Sequence, residues 1–142
     1  MSIKMRVLHY SKKGKMATFA NAIAQKYQLE INKVDAIPPA YSCDKERIVI
    51  LGLTVGDYVP DQLRLFCREL TMECAQNVAL YIDGTEANAN KIKETLKEAG
   101  TNVIDEVCYV KGGLPFKFMS KITDDEKKAV LDWADRVVEK LV

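Results

Sequence analysis

Hydrophobic positions along the chain follow two periods that alternate. Met5–Tyr10, Arg47–Leu53 and Asn77–Ile82 are short apolar runs, the pattern of strands covered on both faces. Between and after them apolar residues recur at helical spacing. Met16, Phe19, Ala20, Ile23, Ala24 and Tyr27 form one such set, and Leu63, Phe66, Cys67 and Leu70 a second. Ala89, Ile92, Leu96 and Ala99 form a third; Val130, Trp133, Ala134, Val137, Val138 and Leu141 form the last. Each draws a single apolar stripe along a helix. Two weaker runs, Glu30–Val34 and Asn102–Val110, read as a second and a fifth strand, the former stopped by Pro38-Pro39.

The punctuation agrees with this reading. Pro60 suits the first turn of a helix. Gly100 is a helix-ending glycine, and Thr123-Asp124-Asp125-Glu126 is a capping box. Gly52–Pro60 reads as a loop. Strands and helices that alternate this strictly predict an α/β fold: a doubly wound, five-stranded parallel sheet covered on both faces. The common five-strand order is 2-1-3-4-5. The link over 35–46 is too short and proline-rich for a long helix, so an irregular crossing is expected there.

The chain has 142 residues, enough for a single domain, 1–142, with its own core. No apolar run approaches the ~18 residues that span a bilayer. Met1–Met5 is polar and lacks a signal-peptide pattern, so a cytoplasmic location is expected. The net charge is +1, from 21 basic and 20 acidic residues, which speaks against a nucleic-acid partner. Four cysteines lack CxxC spacing and His9 is the lone histidine, so no structural zinc site is expected. Cys67 and Cys108 fall on apolar faces and read as buried thiols. No nucleophile elbow and no GK[ST] loop occurs.

In an open α/β sheet, ligands bind beyond the carboxyl ends of the strands where the order reverses. Four loops should meet there: 11–16, 53–60, 83–88 and 111–121. The first, Ser11-Lys12-Lys13-Gly14-Lys15-Met16, joins a strand to a helix. Backbone N–H groups at such a helix start favour an anion, and phosphate is the usual occupant. Gly14 permits a tight turn, and three lysines add positive charge. The same residues also describe a solvated basic loop that merely starts a helix.

Tyr10 through Met16, with the helix that follows, resembles the start of a flavodoxin, where a hydroxyl-rich loop wraps the phosphate of flavin mononucleotide (FMN). Ser11 and Gly14 match that pattern. Lys13, Lys15 and Met16 stand where the family has Thr, Ser or Asn, and a lysine can serve phosphate as a point charge. Gly52-Leu53-Thr54-Val55-Gly56-Asp57-Tyr58-Val59-Pro60 resembles the family segment that flanks the isoalloxazine ring. Gly56 would let the backbone turn against a flat ligand, and Tyr58 could stack on it. Thr54 could bond the ligand or its own turn. Asp83-Gly84-Thr85 holds the position whose backbone meets the pyrimidine edge of the flavin in that family. The segment from Lys111 to Phe116 and the Trp133 helix resemble the carboxyl-terminal part of small flavodoxin-like proteins. Phe116, Phe118 and Met119 would cover the ligand, a partner surface or the sheet edge.

The resemblance implies an FMN-binding redox protein, an electron carrier or a small flavin-dependent reductase. Its partner would be a redox protein or a small-molecule electron acceptor. Carriers in that family are usually strongly acidic, and this chain is not. A flavodoxin-fold protein that has lost FMN and serves as an interaction module is the alternative.

Overall fold

The computed structural model describes residues 4–11, 13–29, 31–33, 45–112 and 121–141. Lys12, the Pro38-Pro39 link and Phe116, Phe118 and Met119 lie outside the described residues. Strand β1 (Met5–Tyr10) leads into helix α1 (Gly14–Tyr27), then β2 (Ile31–Lys33) and β3 (Ile48–Thr54). Helix α2 (Asp61–Arg68), β4 (Asn77–Asp83) and α3 (Glu86–Ala99) follow. Two short strands, β5 (Asn102–Val103) and β6 (Cys108–Tyr109), precede α4 (Asp124–Glu139). Pairing runs β2-β1-β3-β4-β5, with β6 also on β4, and every pairing is parallel.

Alternation within the strands sorts the core into two layers. Leu8, Val49, Leu51, Leu53, Leu80 and Ile82 face α2 and α3 and pack on Leu63, Phe66, Ala89 and Ile92. Val7, Ile48, Ile50, Ala79 and Tyr81 face the other way, onto Phe19 and Ile23 of α1 and Val130 and Trp133 of α4. A sheet apolar on both faces must be covered on both, and two helices serve each side. Lys26 and Tyr27 at the end of α1 both donate to the Asp135 carboxylate of α4, tying together the helices of one face.

Four features differ from the sequence reading. Asn102–Val110 is two strands, not one, so the sheet has six strands among the described residues. β4 advances three positions between Val78, opposite Val103, and Tyr81, opposite Cys108, while the edge chain advances five. The surplus residues leave the ladder as a bulge. Glu106 at that point turns outward: its main-chain carbonyl accepts from Trp133 Nε1 at 2.8 Å, and its carboxylate accepts from Arg136 at 2.7 Å.

The second difference is Gly52, which belongs to β3 and not to the loop. It pairs with Tyr81 in the register of β3 and β4. A Cβ on Gly52 would lie 1.9 Å from Tyr81 Cζ, so the missing side chain is the seat of the Tyr81 ring. Third, α1 begins at Gly14, which places Gly14, Lys15 and Met16 in the first helical turn. Fourth, Pro60, read from the sequence as a first-turn residue, stands instead one position earlier, as the residue just before α2. The turn signals around α3 and α4 hold: Gly100 ends α3 at φ 110°, and Thr123 with Glu126 closes a complete capping box on α4.

Candidate functional site

The carboxyl ends of β1, β3 and β4 lie side by side and carry Ser11, Thr54 and Asp83. Their side chains are joined. Ser11 Oγ and Thr54 Oγ1 are 2.6 Å apart, and Thr54 Oγ1 donates to Asp83 Oδ2 at 3.3 Å. The Lys13 main-chain N–H donates to Ser11 Oγ at 2.9 Å. Each hydroxyl has one proton. With Thr54 giving its proton to the carboxylate, Ser11 must give its own to Thr54. The chain therefore runs in one direction, from the Lys13 amide through Ser11 and Thr54 to Asp83.

The loop beyond β3 is held against the start of α3. Val55 N–H donates to the Asp83 carbonyl at 3.0 Å. The Asp57 carbonyl accepts from Lys91 Nζ at 2.9 Å, and its carboxylate accepts from Asn88 at 3.4 Å. Gly84 passes so close to Val55 that a Cβ would sit 2.5 Å from the Val55 carbonyl oxygen. Thr85 caps α3, its hydroxyl accepting from the Asn88 N–H at 3.2 Å. Within this braced loop Tyr58 projects outward, 74% exposed. A Cβ on Gly56 would meet nothing within 4 Å, so the loop's fold does not itself require a glycine there.

At the amino end of α1 the N-cap residue, Lys13, makes no side-chain cap hydrogen bond. Two of the helix's orphan donors are met by main chain. Lys15 N–H donates to the Gly112 carbonyl at 3.1 Å, and Met16 N–H to the Lys13 carbonyl at 3.3 Å. Gly112 is buried, and a Cβ there would lie 2.5 Å from Asp83 Oδ2 and 2.9 Å from Lys13 Cβ. Lys15 Nζ lies 3.3 and 3.2 Å from the two Glu126 carboxylate oxygens. The Glu126 carboxyl is held below the usual carboxylate range, first by the Thr123 main-chain N–H and further by Lys15. Beside these groups opens a cleft of about 530 Å³, bordered by Phe19, Asp83, Gly84, Lys111 and Glu126.

Four of the side chains singled out from sequence thus stand where the strand ends meet: Ser11, Lys13, Thr54 and Asp83. Gly84 and Thr85 lie at the turn into α3, and Gly56 and Tyr58 on the loop opposite. Met16, Leu53 and Val55 are placed differently. Their side chains are buried in the core, so they can offer a ligand main chain only. Lys15 faces Glu126. Two participants escaped the sequence reading in these roles: Gly112, there only a part of the loop over 111–121, and Glu126, noted only as a capping residue. The Gly112-Gly113 pair in the chain was the one signal for a close backbone approach. Among the described residues no cluster of His, Cys, Asp or Glu could hold a metal ion, and no helix is long and apolar enough to cross a membrane.

No family model matches the sequence, and no curated protein matches it. Solved structures do match the fold. A flavoprotein from Lactobacillus acidophilus NCFM, solved in complex with FMN, superposes with a TM-score of 0.59 at 15% identity, over 76% of this chain and 93% of its own. A flavodoxin from the domain Archaea superposes at 0.62 with 14% identity, over 96% and 98%. A diflavin flavoprotein A3 from Nostoc sp. superposes at 0.54 with 12% identity, over 99% of both chains. The fold is flavodoxin-like, as the residues of the first loop suggested.

Proposed function

We propose that this chain binds FMN across the carboxyl ends of β1, β3 and β4 and acts as a flavodoxin-like redox protein. The observation that carries the reading is the linked row of Ser11, Thr54 and Asp83. It lies at the reversal of strand order, where ligands of open α/β sheets sit, on the fold shared with flavoproteins.

The residues present suit the two ends of such a cofactor differently. At the ring end Tyr58 offers an exposed aromatic face, Gly56 leaves open space, and Gly84 brings main chain to the rim. At the phosphate end the donors are of the right kind: an amino-terminal helix turn, a serine hydroxyl and lysines. Several of them are already engaged with acceptors of the chain itself, so phosphate binding requires an exchange of partners there. Bound in this place, a flavin supplies one- or two-electron chemistry, while the protein binds it and tunes its potential. On this reading Ser11, Lys12, Lys13, Gly14, Lys15 and the Met16 amide serve the phosphate end. Leu53 to Gly56, Tyr58 and Asp83 to Thr85 serve the ring.

The near-neutral charge favours a small-molecule acceptor or one particular protein partner over docking by a strongly acidic surface. The test is the visible spectrum of the purified protein, followed by an FMN titration read by flavin fluorescence. Flavin bands or saturable quenching support the proposal. A colourless protein that leaves FMN fluorescence unchanged overturns it.

A further inference from the structure

We infer that the phosphate end of this site is closed by the chain itself, and that a ligand phosphate must displace the Gly112 carbonyl and the Glu126 carboxylate to enter. The inference rests on the FMN reading above and concerns how that site is guarded.

Three acceptors of the chain hold the donors a phosphate would need. The Gly112 carbonyl takes the Lys15 N–H at 3.1 Å, one of the orphan donors that make a helix start attractive to anions. The Glu126 carboxylate holds Lys15 Nζ between its two oxygens. Asp83, at the end of the hydroxyl chain, draws the protons of Thr54 and Ser11 away from any oxygen placed over the loop. A phosphate oxygen only accepts, so it gains nothing from Ser11 or Thr54 until that chain reverses. Asp83 also adds a negative charge beside the position a dianion would take, which opposes its entry.

The fit at Gly112 is steric as well as polar. The residue sits between Asp83 Oδ2 and the Lys13 side chain with room for a hydrogen and not for a methyl group. Glycine there is what lets the carbonyl reach the Lys15 amide. The contact has an obvious structural use, since Lys13 gives α1 no side-chain cap. It is also exclusive, because one N–H cannot serve the Gly112 oxygen and a phosphate oxygen at full strength. Binding and closure are then alternatives, and apparent affinity falls by the fraction of molecules that are open.

Two variants separate the contacts. Gly112→Ala forces the segment off Asp83 and Lys13 and removes the carbonyl cap. Glu126→Gln frees the Lys15 ammonium while glutamine preserves the capping box of α4. FMN dissociation constants are measured for the three proteins, with amide hydrogen exchange at Lys15 as an independent readout. Gly112→Ala should bind FMN at least about five-fold more tightly by raising the open fraction. Glu126→Gln should gain roughly two- to five-fold, the size of a part-exposed ion pair. The Lys15 amide should be protected in the parent protein and lose protection in Gly112→Ala.

Equal FMN affinity in all three proteins overturns the inference and leaves the FMN reading standing. If none of the three binds FMN, that reading falls, and closure is judged on exchange alone. Protection of Lys15 that survives Gly112→Ala then overturns it, and protection that is lost supports it.

Discussion

Gly52→Ala isolates the contact that joins the sheet to the candidate site. The added Cβ would lie 1.9 Å from Tyr81 Cζ, 2.2 Å from its Oη and 2.4 Å from Cε2, against the ~3.5–4.0 Å at which carbon atoms rest. The ring must withdraw by more than an ångström, and it has nowhere to go. It is fully buried, edge-on to Phe19 at 6.2 Å and to Trp133 at 6.3 Å. Its hydroxyl donates to the Met16 carbonyl at 3.0 Å. Overpacking of a tight core costs about 1–3 kcal/mol, and a buried hydroxyl stripped of its partner about as much again. The expected loss is therefore about 4 kcal/mol, a large share of the ~5–15 kcal/mol that holds a domain together.

Urea unfolding followed by the emission of Trp133, the single tryptophan, measures it. Gly52→Ala/Tyr81→Leu should be less destabilised than the two single changes added together, by about 1–2 kcal/mol of coupling. Because Met16 lies in the first turn of α1, displacing the ring should also weaken FMN binding. A Gly52→Ala protein within ~1 kcal/mol of the parent at unchanged m-value would refute the account of why glycine stands there.

Tyr58→Ala should leave stability within about 0.5 kcal/mol, because the side chain is 74% exposed, while lowering FMN affinity and flavin quenching. Unchanged quenching would place the ring elsewhere. Burial pushes the Cys67 thiol up to about 12 and, with smaller charge effects, the Cys108 thiol to about 11. Near pH 8 Cys67 should thus resist a disulfide reagent in the folded protein and react once urea unfolds it. Fast native labelling at Cys67 would contradict its placement. Glu126 and Glu106 carry carboxyls held below their ordinary 4.5, Glu126 chiefly by the Thr123 N–H and Glu106 chiefly by Arg136. A folded-state value below the unfolded one contributes stability that is present at neutral pH and lost as pH falls past 4.5. Glu106→Gln and Glu126→Gln should each flatten the fall in urea midpoint between roughly pH 5 and pH 3. A slope identical to the parent's would show that these pairs contribute nothing measurable.

The sequence by itself determined the α/β alternation, the two-faced burial of the strands, the end of α3 and the start of α4. These rest on local chemistry: apolar period, a glycine that accepts positive φ, a threonine three residues before a glutamate. It also pointed to the loops that converge, because the carboxyl ends of alternating strands fall on one edge of any such sheet. What it could not determine is which partner each site residue takes. Met16 and Lys15 are neighbours in a lysine-rich loop on paper; in the fold one is sealed in the core and the other faces Glu126, 111 positions away. The split of the fifth strand, the seat of Tyr81 over Gly52 and the Gly112 carbonyl on the start of α1 are likewise pairings between distant segments. Each follows from register and packing across the sheet, where a displacement of one residue would exchange the faces of every side chain, and only the tertiary structure sets that register.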